Sequence, residues 1–434
     1  MTGRKRNRLI VLSLDAVGSM DLAYMNTLPH FRAFFKRAAG CGRVRSVYPS
    51  LTYPAHTSIV TGLYPVRHGI VNNHKLQPEK RKPDWFWQRR YIRGTTLYDE
   101  ARKAGLSTAA LLWPVTGKAR IRYNLPEVWA NQPWENQVSV SFSNGSPLYQ
   151  IGLYRRFGHM IDGVSQPRLD NFVQASLLYT LKRFKPDLTL AHFTDVDTNR
   201  HIFGVSVPGI QDALQRHDRR LGELLSFLDS QGMEQDTNVV VLGDHCQKDV
   251  SVALYPNYWF RRKGWLKVEK GVVTSWRVLA RECDGACYVY LKNRRDKALR
   301  EEVGRWLRQW KERPDSGLEE VFEQPQITEM GANRDCAFML EAKDGYFYQN
   351  ESDVPFRTAG YGSGLHAGTH GYLPTKPGYE TIFFGAGPDF LPGARIGCMN
   401  LVDEGPILAK VLGVNLGDTD GRVPGGLLRE DGLL

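Results

Sequence analysis

The sequence predicts an α/β fold with a largely parallel sheet, a core drawn from both ends of the chain, and a smaller insert between them. Short β-rich apolar runs alternate with amphipathic helical stretches up to about residue 250. A mixed texture follows to about Asp353, and the alternation then returns. At 434 residues the chain exceeds what one small core needs. The expected division is therefore a core of 1–250 and 353–434, with an inserted cap subdomain of 251–352.

Strands are expected at Leu9–Leu14, Ser107–Leu112, Leu188–Phe193 and Asn238–Leu242, each a compact apolar run. Helices are expected at Pro54–Thr61, Thr96–Ala104, Asp170–Phe184 and Gly209–Ser230. The last carries Leu214, Leu221, Leu224, Leu225 and Leu228 at core-facing helical spacing. In the insert, Cys287–Leu291 reads as a strand and Lys297–Trp310 as a charged amphipathic helix. Tyr379–Phe384 restores the strand texture, and Leu401–Leu412 reads as a closing helix.

A net charge of +11 favours anionic partners. The short runs Lys80-Arg81-Lys82 and Arg89-Arg90 belong to no nucleic-acid-binding module. The basic start Met1-Thr2-Gly3-Arg4-Lys5-Arg6-Asn7-Arg8 resembles the n-region of a signal peptide. Its apolar run, however, is short and reaches Asp15 without a small-residue cleavage site. No stretch approaches the length of a membrane span. The six cysteines are scattered rather than paired in a framework, so free thiols in a reducing cytoplasm are expected. No segment carries signals that specify an assembly.

Ligands of open parallel sheets collect outside the carboxyl ends of the strands. Three expected strands end there in acid: Asp15, then Asp195 and Asp197, then Asp244. Carboxylates gathered on one sheet edge repel and raise one another's pKa values, and a cation relieves that. Asp197 and His201 share a helical face at a spacing of four, and His245 adjoins Asp244. His370 sits in Thr369-His370-Gly371-Tyr372. Imidazole with carboxylate suits zinc best, with manganese or iron as alternatives. Pro54 places Thr52 at a helix N-terminus. There a threonine serves either as an N-cap or as a nucleophile facing a phosphate held by free backbone N–H groups. It needs a base or a metal to become nucleophilic.

These motifs resemble the nucleotide pyrophosphatase/phosphodiesterase family of the alkaline phosphatase superfamily. The resemblance rests on Asp15 in Leu-Ser-Leu-Asp, Thr52 before Tyr-Pro-Ala-His, and Asn73 in His68-Gly69-Ile70-Val71-Asn72-Asn73. It continues through Trp113-Pro114, Asp197 and His201, Asp244-His245, His370 and Gly385-Ala386-Gly387-Pro388. It covers most of the chain and is weakest over roughly 75–95, 120–170 and the insert. It implies an alkaline-phosphatase-like three-layer sandwich with a small α+β cap. It further implies two divalent ions about 4 Å apart, one held by Asp197, His201 and His370, the other by Asp15, Asp244, His245 and the Thr52 oxygen. Thr52 would attack phosphorus and form a phosphothreonine, with Asn73 and a nearby amide on the phosphate oxygens and Tyr53 lining the substrate pocket.

The expected activity is hydrolysis of phosphodiester or pyrophosphate bonds in a small anionic, nucleotide-like or related substrate. A phosphomonoesterase or phosphonate hydrolase would use the same ligands, and a non-catalytic anion binder would keep the fold without turnover. The sulfatase pattern is not matched by Thr52-Tyr53-Pro54-Ala55-His56. Cys246, which replaces a common family glycine, is expected to be an inert buried thiol, with a metal ligand as the alternative. His366, four residues before His370, competes for the same ligand role. Trp85-Phe86-Trp87 is either a pocket lip or a satellite core, and Cys283-Asp284-Gly285-Ala286-Cys287 is a turn into a strand.

Overall fold

A computed structural model of the chain describes residues 7–429. Most of the basic N-terminal start therefore lies outside the described residues. The central sheet has eight strands: β1 (Arg8–Leu14), β2 (Ala39–Arg45), β3 (Thr108–Leu111), β4 (Tyr123–Leu125), β5 (Leu188–Phe193), β6 (Thr237–Leu242), β7 (Thr381–Ala386) and β8 (Met399–Asn400). They run in the order β8-β2-β7-β6-β1-β5-β3-β4. All neighbours are parallel except β7, which runs against both β2 and β6.

Alternation along β1 shows why this is a three-layer fold. Leu9 and Val11 enter one core, with helix α1 (Thr52–Thr61) and the closing helix Glu404–Leu412. Ile10, Leu12 and Leu14 enter the other, with the helices Pro29–Arg37, Arg168–Phe184 and Pro208–Ser230. A strand buried on both faces reads as a continuous apolar run, and that is what makes β1, β5 and β6 visible in sequence. The strand β2 is not visible in this way, because it reads Ala-Gly-Cys-Gly-Arg-Val-Arg. Its Gly40 lies under the Phe384 ring, where a Cβ would come within 2.3 Å of a ring carbon. The helices Gln137–Asn144 and Pro147–Phe157 also lacked a readable period.

A second sheet lies between β6 and β7 in sequence. Its antiparallel strands run in the order Val278–Cys283, Ala286–Leu291, Phe338–Ala342 and Leu318–Glu323. The helix Lys297–Lys311 turns Leu299, Val303, Leu307 and Trp310 inward. The strand Lys248–Leu254 crosses the expected boundary at residue 250. It pairs with Gly345–Tyr348, Phe356–Thr358 and Gly368–Thr369.

Gly243, directly after β6, is a tightly enclosed glycine at the carboxyl edge. A Cβ there would stand 2.0 Å from the Val17 carbonyl oxygen and 2.3 Å from Thr381 Oγ1. Backbone on one side leaves no cheap relaxation. Gly243→Ala is expected to destabilise the fold by about 2 kcal/mol, read as a lower denaturant midpoint at unchanged slope. A stability equal to that of the parent would contradict this close approach.

Candidate metal centre

Strand order decides which side chains meet. With β5 and β6 on either side of β1, the loop after each of the three strands delivers its acids to one place. Asp15 follows β1, Asp244 follows β6, and helix α2 (Asp195–Phe203) follows β5 and carries Asp197 and His201 one turn apart. Helix α1 points its N-terminus at the same spot. Leu51 is its extended N-cap, and Thr52 is its first residue.

The resulting cluster is close-knit. His245 Nε2 stands 3.1 Å from Thr52 Oγ1, 3.3 Å from Asp15 Oδ1 and 3.2 Å from Asp244 Oδ2. His201 Nε2 is 3.3 Å from Asp197 Oδ1, and the His370 ring centre lies 4.3 Å from that of His245 and 5.0 Å from that of His201. Two groups have the spacing of metal ligands: Asp197 with His201 and His370, and Asp15 with Asp197 and His245. Asp197 thus belongs to both. Asp244 meets the second group through His245, and the backbone N–H of Ala16 fixes its other oxygen at 3.1 Å.

The electrostatics fit a cation. Burial, and then the charge of Asp197, pushes Asp15 up to about 7. Burial followed by the charge of Asp15 raises Asp244 well above the carboxylate range. Asp197 goes the other way: burial opposes its ionisation, but the charge and hydrogen bond of His201 prevail. The same contact lifts His201 to about 9 against the effect of burial. Burial lowers His245 and His370. Asp15 Oδ1 and Asp244 Oδ2 are buried acceptors that receive no hydrogen bond. Carboxylates so placed are costly when bare, and these oxygens and imidazole nitrogens form a borderline donor set that fits a zinc-class divalent ion.

Thr52, Asn73 and Tyr53 line the same cavity of about 810 Å³. The Tyr53 N–H donates to Asn73 Oδ1 at 3.0 Å. The Tyr53 amide therefore holds Asn73 by its oxygen, and the Asn73 NH2 group remains as a donor in the cavity that Thr52 lines. Tyr53 has no exposed surface; its ring packs on Trp85 at 5.2 Å, and its hydroxyl donates to the Glu127 carbonyl at 3.4 Å. Trp85 and Trp87 both pack against Trp129, so this aromatic cluster is a small core with Trp85 at the cavity wall. His366 also reaches the cavity and packs on His201 at 4.2 Å between ring centres. The Cys246 thiol turns away and donates to the Glu380 carbonyl at 3.1 Å.

Asp195 departs from the expected row of edge carboxylates. It faces the helix Pro208–Ser230, accepting from Arg216 at 2.7 and 2.8 Å and from Arg220 at 3.3 Å. Two arginines compensate its charge inside the protein, which the strand-end position alone did not reveal.

Sequence reasoning also missed four groups. His192, on β5, donates to Asp15 Oδ2 (3.0 Å) and to Glu127 Oε2 (3.2 Å). These two contacts hold it well above the usual histidine range despite burial. Gln247 Nε2 donates to Asp197 Oδ1 at 2.5 Å. Asp284, in the turn of an insert hairpin, lies 3.4 Å from His370 Nδ1. For His192 there was a signal: it interrupts an apolar strand and pairs in register with Ser13, another polar residue in a buried strand. The contacts of Glu127, Gln247 and Asp284 depend on tertiary placement alone.

A family model described as type I phosphodiesterase / nucleotide pyrophosphatase matches residues 9–373. An uncharacterized pyrophosphatase/phosphodiesterase of Schizosaccharomyces pombe is 24% identical over 251 residues, which are 55% of this chain and 44% of that protein. The bis(5'-adenosyl)-triphosphatase ENPP4 of Bos taurus is 24% identical over 448 residues, 95% of this chain and 81% of that protein. The chain spans less than half the length of the first of these curated relatives. Among solved structures, human ectonucleotide pyrophosphatase/phosphodiesterase 5 superposes with a TM-score of 0.67 at 20% identity, covering 95% of this chain and 97% of that one. An inactive variant of its murine counterpart in complex with AMP gives 0.66 at 19% identity, covering 96% and 97%. These likenesses establish the alkaline-phosphatase-like fold.

The shifts at Asp15 and His201 set a pH dependence for metal binding. Asp15 is raised from 3.8 to about 7, so its proton favours the metal-free fold at low pH, and that contribution is lost as pH rises through about 7. A cation must displace this proton and the one on His201, and displacement is easier at higher pH. The rise in unfolding temperature caused by zinc is therefore expected to be larger at pH 8 than at pH 5.5. An equal rise at both values would mean that no proton is displaced.

Proposed function

This chain belongs to the type I phosphodiesterase / nucleotide pyrophosphatase family, and from that premise we propose that it hydrolyses phosphodiester or pyrophosphate bonds of nucleotide-like or related substrates, with Thr52 as nucleophile. The observation that carries the reading is the position of Thr52 Oγ1. It stands at the first residue of a helix, 3.1 Å from His245 Nε2 and beside the buried Asp15 and Asp244.

Thr52 presents its hydroxyl at the positive end of the helix dipole, where an anion is favoured. Its oxygen bonds to phosphorus as the P–O bond to the leaving group breaks, giving a phosphothreonine; the leaving group departs as an alcohol or a phosphate and takes up the hydroxyl proton. Hydrolysis of that ester releases phosphate or a phosphate monoester and restores the hydroxyl. Asn73, fixed by the Tyr53 amide, donates to a phosphate oxygen from its NH2 group. His56 braces the nucleophile from within the helix through Nδ1 and the Thr52 carbonyl (2.8 Å), while its Nε2 meets Ser13 Oγ (2.9 Å). Asp197, His201 and His370 would hold one divalent ion and Asp15, Asp244 and His245 the other, with Asp197 within reach of both. Such ions, zinc being the best match, supply Lewis-acid neutralisation of the charge that develops on the phosphate.

The insert of 251–352 takes part as a substrate-shaping cap, since Glu282, Asp284 and Gln349 line the cavity. All six cysteines are unpaired and five are buried, which suits a reducing compartment such as the cytoplasm. Among the described residues no helix is long and apolar enough to cross a membrane.

Zinc-supplied protein is expected to hydrolyse a nitrophenyl phosphodiester faster than the matching monoester, and chelation should abolish the activity. A preference for the monoester would move the protein to the phosphatases. Thr52→Ala should lower turnover by at least about 10³-fold while zinc content by elemental analysis stays near that of the parent; near-normal turnover would exclude Thr52 as the nucleophile. Asp244→Ala is expected to lose zinc as well as activity, and full zinc occupancy in that variant would remove Asp244 from the ligand set.

A further inference from the structure

Asp15 and Asp244 each have one carboxylate oxygen held by the protein and one left bare. Asp244 Oδ1 accepts from the Ala16 N–H at 3.1 Å, while its Oδ2 receives no hydrogen bond. Asp15 repeats this division: Oδ2 accepts from His192 Nε2 at 3.0 Å, and Oδ1 receives none. The two bare oxygens stand 3.3 and 3.2 Å from His245 Nε2, which is itself 3.1 Å from Thr52 Oγ1. They converge on one point of the cluster. The means differ, because a backbone amide holds Asp244 and a buried side chain holds Asp15.

His192 is in turn held from its other side. Its Nδ1 lies 3.1 Å from the Leu112 carbonyl oxygen and 3.2 Å from Glu127 Oε2. Carbonyl and ionised carboxylate oxygens only accept, so both ring nitrogens donate. Leu112 follows β3 and Glu127 lies just past β4, which ties the ring to the last two strands of the sheet. The ring has no exposed surface, and the His56 ring packs on it at 4.4 Å. Turning the ring would break at least one of these contacts. Glu127 is the outer member, with 17% of its side chain exposed at the cavity.

We propose that Glu127 and His192 are positioning residues that make Asp15 a one-oxygen ligand. By occupying Oδ2 they leave Oδ1 as the atom that faces an ion beside His245 and Asp244. The inference rests on the phosphate-ester reading above and on its ligand assignment, and it adds a device for choosing the ion. A carboxylate limited to one oxygen keeps the ligand count low, which suits tetrahedral zinc. A carboxylate free to offer both oxygens suits ions that take more oxygen ligands, manganese among them. Two hydrogen bonds outside the ligand set thus bias the site toward zinc.

The test is chelator-competition titration of the full chain with zinc and, separately, with manganese. His192→Phe keeps a ring in the slot and removes both hydrogen bonds. It is expected to weaken zinc at one of the two ion sites by about 10- to 100-fold. Manganese should weaken less, so that the zinc-to-manganese affinity ratio at that site falls roughly tenfold. The ion at Asp197, His201 and His370 should keep its affinity; equal losses at both sites would mean general damage and overturn the assignment. Glu127→Ala should shift the ratio in the same direction, and Glu127→Gln, which retains an acceptor for Nδ1, should restore it. If His192→Phe does not fold, the two Glu127 variants decide by the same ratio. A ratio equal to the parent's in either His192→Phe or Glu127→Ala would overturn the proposal and leave the phosphate-ester reading intact. Failure of the parent chain to bind zinc would overturn that reading, and this inference with it.

Discussion

The structure depends on one electrostatic constraint: Asp15, Asp197 and Asp244 converge in a buried pocket at the carboxyl edge of the sheet. Charged carboxylates cannot be gathered there without compensation, because their mutual repulsion and lost hydration cost more than any packing nearby returns. Burial and neighbouring charge push Asp15 and Asp244 upward, and the imidazoles of His201, His245 and His370 supply the complementary donor atoms. The placement follows from topology. A central β1 flanked by two parallel neighbours is the arrangement that lets three separate chain turns end within a few ångströms of each other.

Helix α2 shows how firmly this arrangement is held. Its first turn is capped by Asp170, which accepts from the N–H groups of Thr194 (3.0 Å) and Asp195 (3.1 Å). Asp195 anchors the helix outward to Arg216 and Arg220. The buried Arg200 reaches across to the Ala16 carbonyl and to Asp21. With three sides of the helix tied down, Asp197 and His201 have one direction left, toward the cavity. His370 is fixed just as indirectly. Its carbonyl accepts from Gly285 N at 2.8 Å, and Gly371 N donates to the Ser50 carbonyl at 3.0 Å. The insert hairpin and the segment before Thr52 are therefore both braced against the loop that carries His370.

Sequence patterning revealed the parts of this design whose period is local. The doubly buried strands β1, β5 and β6 announce themselves as apolar runs, and the acids just beyond them stand at loop positions where ligands gather. Pro54 marked the start of the helix that the structure begins at Thr52. The strand β2 stayed hidden because close packing under Phe384 demands glycine where a strand normally shows bulk. Asp195 was misjudged because its position past β5 is the same as that of a ligand. Only the arginines of a helix reached later in the chain distinguish an anchored carboxylate from a functional one. Glu127 and Asp284 belong to the site through contacts across 65 and 86 residues of sequence, to His192 and His370, and no periodicity records such a pairing.

His192 links the constraint to the cavity's chemistry. One ring nitrogen meets Asp15, and the other meets Glu127, which lines the same cavity as Thr52. Outer contacts of this kind set the orientation of a ligating carboxylate. The ring is also boxed in by the His56 ring at 4.4 Å, and His56 in turn holds the Thr52 carbonyl. Thr52, Asp15 and the cavity wall at Glu127 thus share one chain of buried contacts. The side of the cavity lined by Glu127 is in this way continuous, through buried contacts, with the side lined by Asp15 and Thr52.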